Sequence, residues 1–271
     1  MPVVDLEALI APIRSGTLVA IPPDYSGVSM AATRALIARG VGGLRLLAVP
    51  TSGLQADLLI GAGLVAELEA AAIFLGELGP APRFAAAVTS GRLRMRDTTC
   101  PAVHAALQAA EKGIPFMPLR GLIGSDVQRN RPDWRVIENP FGTNDPIVLL
   151  PAIRPDVALF HAARADRDGN VWIGRRRELA TMAHAARQTI VTVEEIVEGT
   201  LLSDEATAAG VLPSIYVSAV AVAKNGAWPY GLQDLYVTDD AEIARYARAA
   251  RTEDGFRDWL AGFMDGRRAA A

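Results

Sequence analysis

Two apolar runs of four residues each restrict the fold more than any other feature of this sequence. Residues 147–150 (IVLL) and 157–160 (VALF) are too short to form helices that could bury themselves. Both are therefore predicted to be core strands. Pro151 and Pro155 separate the two runs, because a proline has no N–H to offer a sheet ladder.

Polar residues follow the second run. His161, Arg164, Asp166 and Asp168 are predicted to lie where this buried strand leaves the sheet, with a turn at 166–170. Ligands of open α/β sheets collect at the carboxyl ends of strands, so these residues mark a candidate ligand position. A lone histidine is more often a hydrogen-bonded core residue than a catalyst, and that alternative stays open for His161.

Strand and helix patterns alternate along the first half of the chain. Strands are predicted at 17–21 and 44–49, and helices at 5–14 and 29–39. A strand–helix–strand order predicts parallel pairing. The order is predicted to repeat as strand 58–60, helix 64–70 and strand 71–75, followed by helices at 82–90 and 100–112.

No internal repeat or linker divides the sequence, which favours one α/β domain over residues 1–271. The predicted architecture is a single open, mostly parallel sheet flanked by helices. A C-terminal helical segment is predicted at 240–268.

Composition argues against several classes of protein. A net charge of −3 gives no reason to expect nucleic acid as a partner. No apolar stretch reaches the roughly 20 residues of a membrane span. The single cysteine, Cys100, rules out an internal disulfide, and the three histidines have no metal-ligand spacing. Lys112 and Lys224 are the only lysines, which argues against Schiff-base and P-loop chemistry. A single cysteine favours a reducing cytoplasm as the compartment, and the first residues show no secretion signal.

A dinucleotide fingerprint, G-x-G-x-x-G/A, is matched by Gly61, Gly63 and Ala66 between a predicted strand and a predicted helix. Glycines in this motif let the backbone approach a pyrophosphate. The fingerprint also requires an acidic residue about 20 positions later. Residues 81–83 (APR) contain none, so a tight turn is the favoured interpretation.

Two further stretches carry candidate chemistry. Gly121, Gly124 and Ser125 follow a predicted strand and could bind a phosphate or amide through backbone N–H groups, or simply form a turn. Glu194 and Glu195 are predicted at the end of a strand, where one could act as a base or nucleophile with a raised pKa. Acidic residues at a helix N-terminus are the alternative interpretation.

Six segments occur in an order that resembles one protein family. They are DLLIGAG at 57–63, PFMP…GS within 115–125, IENPF at 137–141, PDVALFHA at 155–162, DGN at 168–170 and TIVTVEEI at 189–196. With further matches in 217–231 they span nearly the whole chain. Together they resemble the A (α) subunit of family I CoA-transferases, and glutaconate CoA-transferase in particular.

The resemblance implies a mechanism shared by two α/β subunits. A glutamate attacks an acyl-CoA thioester to give a mixed anhydride, CoA thiolate returns to form a glutamyl-CoA thioester, and a small carboxylic acid then takes the CoA. Splitting one difficult transfer into covalent steps is the logic of nucleophilic catalysis. In the family the glutamate lies in a Ser-Glu-Asn-Gly-like stretch of the B subunit, which this sequence lacks. The resemblance thus implies a B-type partner, with coenzyme A as substrate and no tightly bound cofactor or metal.

The resemblance also implies where substrates bind. The expected substrate-binding residues are Ser26, Ser52, Gly53, Gly76, Glu77, Gly124 and Ser125. Glu77 is an unusual polar residue in the loop that A subunits lend to the acyl pocket. Ring-opening CoA-thioester hydrolases of the same fold have a working carboxylate near Asp97, so Asp97 and Glu77 are the candidate catalytic residues of this chain.

One loop departs from the family pattern. Many A subunits have a Gly-Gly-Phe turn after the first strand, whereas this chain has PPDYS at 22–26. Three functions therefore remain open: a transferase subunit, a subunit of a ring-opening hydrolase, and a catalytically silent interaction subunit.

Overall fold

The computed structural model describes residues 3–265 of the chain. Fourteen strands lie within this range and are numbered along the chain. They are β1 (Leu18–Ile21), β2 (Leu44–Ala48), β3 (Thr51–Ser52), β4 (Val65–Ala70), β5 (Ala72–Ile73), β6 (Arg94–Asp97), β7 (Phe116–Leu119), β8 (Arg135–Glu138), β9 (Pro146–Pro151), β10 (Val157–Asp166), β11 (Val171–Trp172), β12 (Gln188–Val197), β13 (Val211–Leu212) and β14 (Ala219–Val222).

Ten α-helices lie in the same range. They are α1 (Leu6–Ile10), α2 (Met30–Arg39), α3 (Leu54–Gly61), α4 (Pro82–Thr89), α5 (Cys100–Glu111), α6 (Asp126–Arg129), α7 (Arg177–Ala185), α8 (Glu205–Ala208), α9 (Asp240–Ala249) and α10 (Glu253–Met264). No helix of residues 3–265 is long and apolar enough to cross a membrane.

The main sheet is parallel over seven strands, in the order β14–β12–β10–β1–β2–β4–β6. β1 lies at its centre. The strands that follow β1 in sequence extend the sheet in one direction, and β10, β12 and β14 later extend it in the other. Such a reversal leaves a crevice at the carboxyl ends of the central strands. β11 and β13 add an antiparallel extension beside the second half of β10.

Helices cover both faces of the main sheet. Because successive side chains of a strand point to opposite faces, Val19 and Ile21 of β1 join one apolar cluster, and Ala20 joins the other. The first cluster includes side chains of α1–α4, α9 and α10. The second includes side chains of α5 and α7. The predicted α/β architecture, an open and mostly parallel sheet flanked by helices, is confirmed.

Two smaller sheets complete the described part of the chain. β3 and β5 pair in parallel just beyond the ends of β2 and β4. β7, β9 and β8 form an antiparallel sheet, whose Val148 and Leu150 pack with Trp134 against Ala102 and Ala105 of α5. The apolar run at 147–150 is therefore a strand, as predicted, but it belongs to this small sheet and not to the sheet that contains β10.

The predicted helices at 82–90 and 100–112 are confirmed as α4 and α5. The predicted C-terminal helical segment is α9 and α10, and residues 266–268 of that prediction lie outside the described residues. The predicted helix at 5–14 is shorter, because α1 ends at Ile10.

The assignments of 58–60 as strand and 64–70 as helix are wrong, and the two element types are exchanged. Residues 58–60 belong to α3, and 65–70 form β4. α3 is buried from Leu54 to Ile60, so its sequence has no polar face to reveal a helical period. Gly61 is the last residue of α3, and Gly63 lies between α3 and β4, which is the reverse of the strand–helix order that the dinucleotide fingerprint requires.

Two strands are also longer than predicted. β10 continues to Asp166, so His161 and Arg164 lie inside the strand and not where it leaves the sheet. β12 continues to Val197, which places Glu194 and Glu195 within a strand instead of at its end. A parallel strand between two others can carry buried polar residues if each has a hydrogen-bond partner, and His161 and Glu194 provide partners for each other.

Candidate active site

A cleft of about 730 Å³ lies at the carboxyl ends of β1, β2 and β4. Four segments line it: loop 23–25 after β1, strand β3, loop 74–78 after β5, and Tyr230 together with the first half of α9. Ligands of open α/β sheets bind at this end of the strands. The volume also falls within the roughly 300–1,000 Å³ of small-molecule sites. This cleft is the candidate active site.

Asp24 lines the cleft, and only one of its two carboxylate oxygens accepts hydrogen bonds from the described residues. Its Oδ2 accepts hydrogen bonds from the Tyr230 hydroxyl at 2.7 Å and from the Gly53 N–H. Its Oδ1 is buried and has no hydrogen-bond partner among the described residues. Burial raises the pKa of Asp24 to about 6, although the hydrogen bonds from Tyr230 and Gly53 oppose this shift.

Ser52 and Gly53 join β3 to α3 beside Asp24. Ser52 is 2% exposed, and its hydroxyl has no partner within residues 3–265. A Cβ atom at Gly53 would lie 2.1 Å from Asp24 Oδ2 and 2.6 Å from the Phe74 carbonyl oxygen, so only glycine fits there. A buried polar atom without a partner costs free energy, and Ser52 Oγ and Asp24 Oδ1 are two such atoms beside the cleft among the described residues.

Glu77 also lines the cleft, in a 3₁₀ turn over Gly76–Leu78. Its side chain is exposed and forms no ion pair or hydrogen bond with a described residue. Gly76 has φ +57°, a left-handed conformation that favours glycine. The turn therefore presents the Glu77 carboxylate to the cleft on a short, tightly wound segment.

Four predicted site residues thus meet in one place: Ser52, Gly76 and Glu77 line the cleft, and Gly53 contacts Asp24 beside it. Ser26 does not reach the lining. It is fully buried and donates its hydroxyl hydrogen bond to Glu178 of α7, on the sheet face covered by α5 and α7. Its position connects loop 22–27 to a helix.

Asp97, Gly124 and Ser125 also lie outside the cleft lining. Asp97 ends β6 and accepts a hydrogen bond from the Asn130 side chain at 2.7 Å. Ser125 caps α6 by accepting from the Gln128 N–H at 3.2 Å, and it donates to the Leu122 carbonyl at 2.5 Å. The turn interpretation of this glycine-rich loop therefore accounts for its hydrogen bonds.

A buried polar network joins β10, β12 and loop 225–236. Glu194 Oε1 is 2.8 Å from His161 Nε2 and accepts from the Tyr236 hydroxyl, also at 2.8 Å. The backbone N–H groups of Asn225 and Gly226 donate to the same carboxylate. Burial alone would raise the pKa of Glu194, but the hydrogen bonds from His161, Tyr236 and Asn225 lower it to about 2.

The prediction that this glutamate pair could supply a base with a raised pKa is therefore wrong for Glu194. Its lowered pKa and its four donors make it a structural anion. The network ties β10 and β12 to loop 225–236, and that loop carries Tyr230 to the cleft.

Among the lining residues that the sequence analysis did not select are Asp24, Tyr230 and Asp240. Asp24 lies in the PPDYS departure at 22–26, which was the available signal. Tyr230 and Asp240 come from the far end of the chain, and their nearness to β1 depends on the whole fold. Within residues 3–265 no group of three or more His, Cys, Asp or Glu residues could hold a metal ion.

The sequence profile of the coenzyme A transferase family matches residues 3–223. The chain therefore belongs to the coenzyme A transferase family. Within that family it is similar to the A-type subunits of family I enzymes. The A-type subunit of 3-oxoadipate CoA-transferase from Pseudomonas knackmussii is 31% identical over 96% of this chain and 92% of its own length.

Two other curated relatives extend the comparison. An uncharacterized protein of Archaeoglobus fulgidus is 34% identical over 88% of this chain, and the chain spans 53% of that relative's length. The IpdA subunit of a cholesterol ring-cleaving hydrolase from Rhodococcus jostii is 29% identical over 97% of this chain and 92% of its own length. Proteins named for two different reactions are thus similar to this chain.

Solved structures agree with this assignment. Glutaconate coenzyme A-transferase from Acidaminococcus fermentans has a TM-score of 0.90 and 26% identity, covering 99% of this chain and 90% of that one. The decarboxylase AibA/AibB has a TM-score of 0.85 and 32% identity, covering 97% and 98%. The fold of the family is therefore shared over nearly the whole chain.

Proposed function

We propose that this chain, acting as one unit over residues 1–271, is the A-type subunit of a heteromeric CoA-transferase. In this proposal a B-type partner carries the glutamate that attacks the acyl-CoA thioester, and the present chain forms the wall of the acyl site. CoA passes from an acyl-CoA to a small carboxylic acid. The observation that carries the proposal is the cleft at the end of β1, β2 and β4, where Ser52 and Asp24 have buried polar atoms without partners among residues 3–265.

Ser52 and Asp24 would have different tasks in this site. The Ser52 hydroxyl can donate a hydrogen bond to a thioester carbonyl, where negative charge develops during attack. The free Oδ1 of Asp24 can accept a hydrogen bond from the bound ligand. Tyr230 fixes the Asp24 carboxylate through its hydroxyl, which in turn accepts from the Leu54 N–H at 3.0 Å.

A partner subunit is supported by apolar side chains around the cleft. Tyr25, Phe74 and Leu78 line it and are 73%, 43% and 46% exposed. Aromatic and apolar side chains grouped beside a cleft are typical of protein–protein contacts. A B-type subunit that docks against them would bring its glutamate to the cleft and cover this apolar surface.

A ring-opening hydrolase of the same build is the second candidate, and similarity to the R. jostii IpdA subunit favours it. Its carboxylate would correspond to the region of Asp97, which is hydrogen-bonded to Asn130 outside the cleft lining. The hydrolase proposal therefore has less support from the geometry than the transferase proposal.

Chemical trapping of the covalent intermediate distinguishes these functions. The tagged chain is purified from its host with any bound partner, identified by native mass spectrometry, and incubated with acyl-CoA followed by borohydride or hydroxylamine. A glutamyl adduct on a second polypeptide, and turnover that requires an acceptor acid, are the expected results. Turnover without an acceptor would support the hydrolase. Absence of both would support a catalytically silent subunit.

A further inference from the structure

We propose that the cleft selects acyl-CoA thioesters whose acyl group is uncharged, and that Glu77 and Asp240 exclude acyl groups ending in a second carboxylate. This inference rests on the proposed function and names the substrate class of the same site. It follows from the charges, the apolar walls and the unpartnered polar atoms of the cleft.

The charged residues that line the cleft are all acidic. Among its described lining residues, Asp24, Glu77 and Asp240 are acidic, and none is Lys, Arg or His. Neither Glu77 nor Asp240 forms an ion pair within residues 3–265. Asp240 is the first residue of α9. A second carboxylate on the acyl chain would meet like charge from Glu77 and from Asp240, and the described lining residues offer it no cation.

The rest of the lining suits an uncharged chain. Phe74, Leu75 and Leu78 form one apolar wall, and Ile243 with Ala244 of α9 forms another. Ligand sites of this kind are mostly apolar, with a few polar groups that fix orientation. A hydrocarbon chain between these walls would be removed from water, and its burial would desolvate no charged group on the ligand.

Two buried atoms define the polar part of the ligand. Ser52 Oγ can donate one hydrogen bond and Asp24 Oδ1 can accept one, and neither has a partner among the described residues. A thioester carbonyl can accept from the Ser52 hydroxyl, and a ligand hydroxyl has in addition the proton that Asp24 Oδ1 needs. A carboxylate brings no proton for Asp24 Oδ1, so it cannot satisfy this acceptor and is repelled by it as well.

The test compares two CoA thioesters with five-carbon acyl groups, pentanoyl-CoA and glutaryl-CoA, which differ in the terminal carboxylate. The purified complex is assayed for kcat/KM with each, and binding of each is measured by calorimetry. We expect pentanoyl-CoA to be preferred by at least roughly tenfold, since like charges at a binding site disfavour the wrong partner strongly. Glu77→Gln should narrow this ratio by about threefold or more. Glu205→Gln, on the exposed helix α8 outside the cleft lining, is the matched control and should leave the ratio unchanged.

The outcomes separate this inference from the proposed function. Equal use of the two thioesters, or preference for glutaryl-CoA, overturns the substrate class while leaving a CoA-thioester enzyme in place. A wild-type preference that Glu77→Gln does not narrow overturns the role of Glu77. A complex that binds and converts neither thioester contradicts the proposed function itself, and the inference falls with it.

Discussion

Asp24 is a carboxylate whose protonation is coupled to folding. Burial raises its pKa from 3.8 to about 6. Between these values the folded protein binds a proton more tightly than the unfolded chain does. The free energy of unfolding therefore falls as the pH rises through this window, and Asp24 causes no further fall above about pH 6. Asp57, whose pKa burial also raises to about 6, acts in the same direction.

Asp24→Asn should reduce this pH dependence. The amide keeps one oxygen for Tyr230 and Gly53 but cannot ionise, so the fall in stability between pH 4 and 7 should shrink by about 1–3 kcal/mol. Urea unfolding at pH 4, 5, 6 and 7 measures it. Asp168→Asn, in an exposed turn, is the matched control. Equal pH profiles for the wild type and Asp24→Asn would show that this carboxylate is not desolvated.

Glu194 changes the free energy of unfolding with pH in the opposite direction. Its folded pKa of about 2 lies below the ordinary 4.5, so its contribution to stability is present above pH 4.5 and is lost as the pH falls toward 2. In Glu194→Gln, an NH₂ group replaces one carboxylate oxygen. This group cannot accept the hydrogen bonds that the oxygen accepted. We expect a loss of about 2 kcal/mol at pH 7, because buried hydrogen-bonding groups are left unsatisfied.

Glu195 provides a control for Glu194 on the same strand. It is the next residue of β12, points to the opposite face and is exposed. Urea unfolding at pH 7 should show a change below about 0.5 kcal/mol for Glu195→Gln. Equal losses for the two variants would contradict the structural role assigned to the Glu194 network.

At the scale of elements, the exchange of α3 and β4 shows what a sequence pattern conveys. The order of elements from β1 to β2 was predictable, because amphipathic helices and buried strands have different periods. α3 has no such period, since it is buried on all sides and its one acid, Asp57, is satisfied inside. Asp57 accepts hydrogen bonds from the Phe84 N–H at 2.6 Å and the Tyr246 hydroxyl at 2.6 Å. Both donors are distant in sequence, so no local pattern could reveal them.

The candidate site was predictable to a similar extent. Ser52, Gly76 and Glu77 came from the resemblance to a family, and the structure brings them to one cleft. Ser26 was predicted from the same resemblance. Although its neighbour Tyr25 lines the cleft, the Ser26 side chain points to the other face of the sheet, where it contacts Glu178. Periodicity can assign faces within a strand or helix, but it has no rule for an irregular loop.

Gly61 tests the packing of α3 directly. A Cβ atom there would lie 2.5 Å from Phe256 Cζ, on α10. Gly61→Ala should therefore destabilise the protein by about 1–3 kcal/mol through overpacking. Thermal or urea unfolding measures the loss. If the glycine served nucleotide binding instead, the alanine variant would keep its stability.

A double-mutant cycle identifies the contact. Phe256→Leu shortens the opposing side chain, so the combined variant should be more stable than the sum of the single losses predicts, by at least about 0.5 kcal/mol. If the two losses of stability are strictly additive, the strain caused by Gly61→Ala does not lie between α3 and α10.

At the scale of the whole molecule, the apolar rim of the cleft should be the surface that a partner covers. Leu78 is 46% exposed on this rim, and Ile215, in a 3₁₀ turn outside the cleft lining, is 84% exposed. Leu78→Asp would place a charge in the buried centre of the proposed interface, where charged residues are depleted. We expect it to weaken association with the co-purifying subunit by at least about tenfold, measured by native mass spectrometry and calorimetric titration. Ile215→Asp should associate normally, although it changes a more exposed apolar residue. The opposite pattern, with association lost for Ile215→Asp and kept for Leu78→Asp, would mean that the partner docks away from the cleft and cannot bring a glutamate to it.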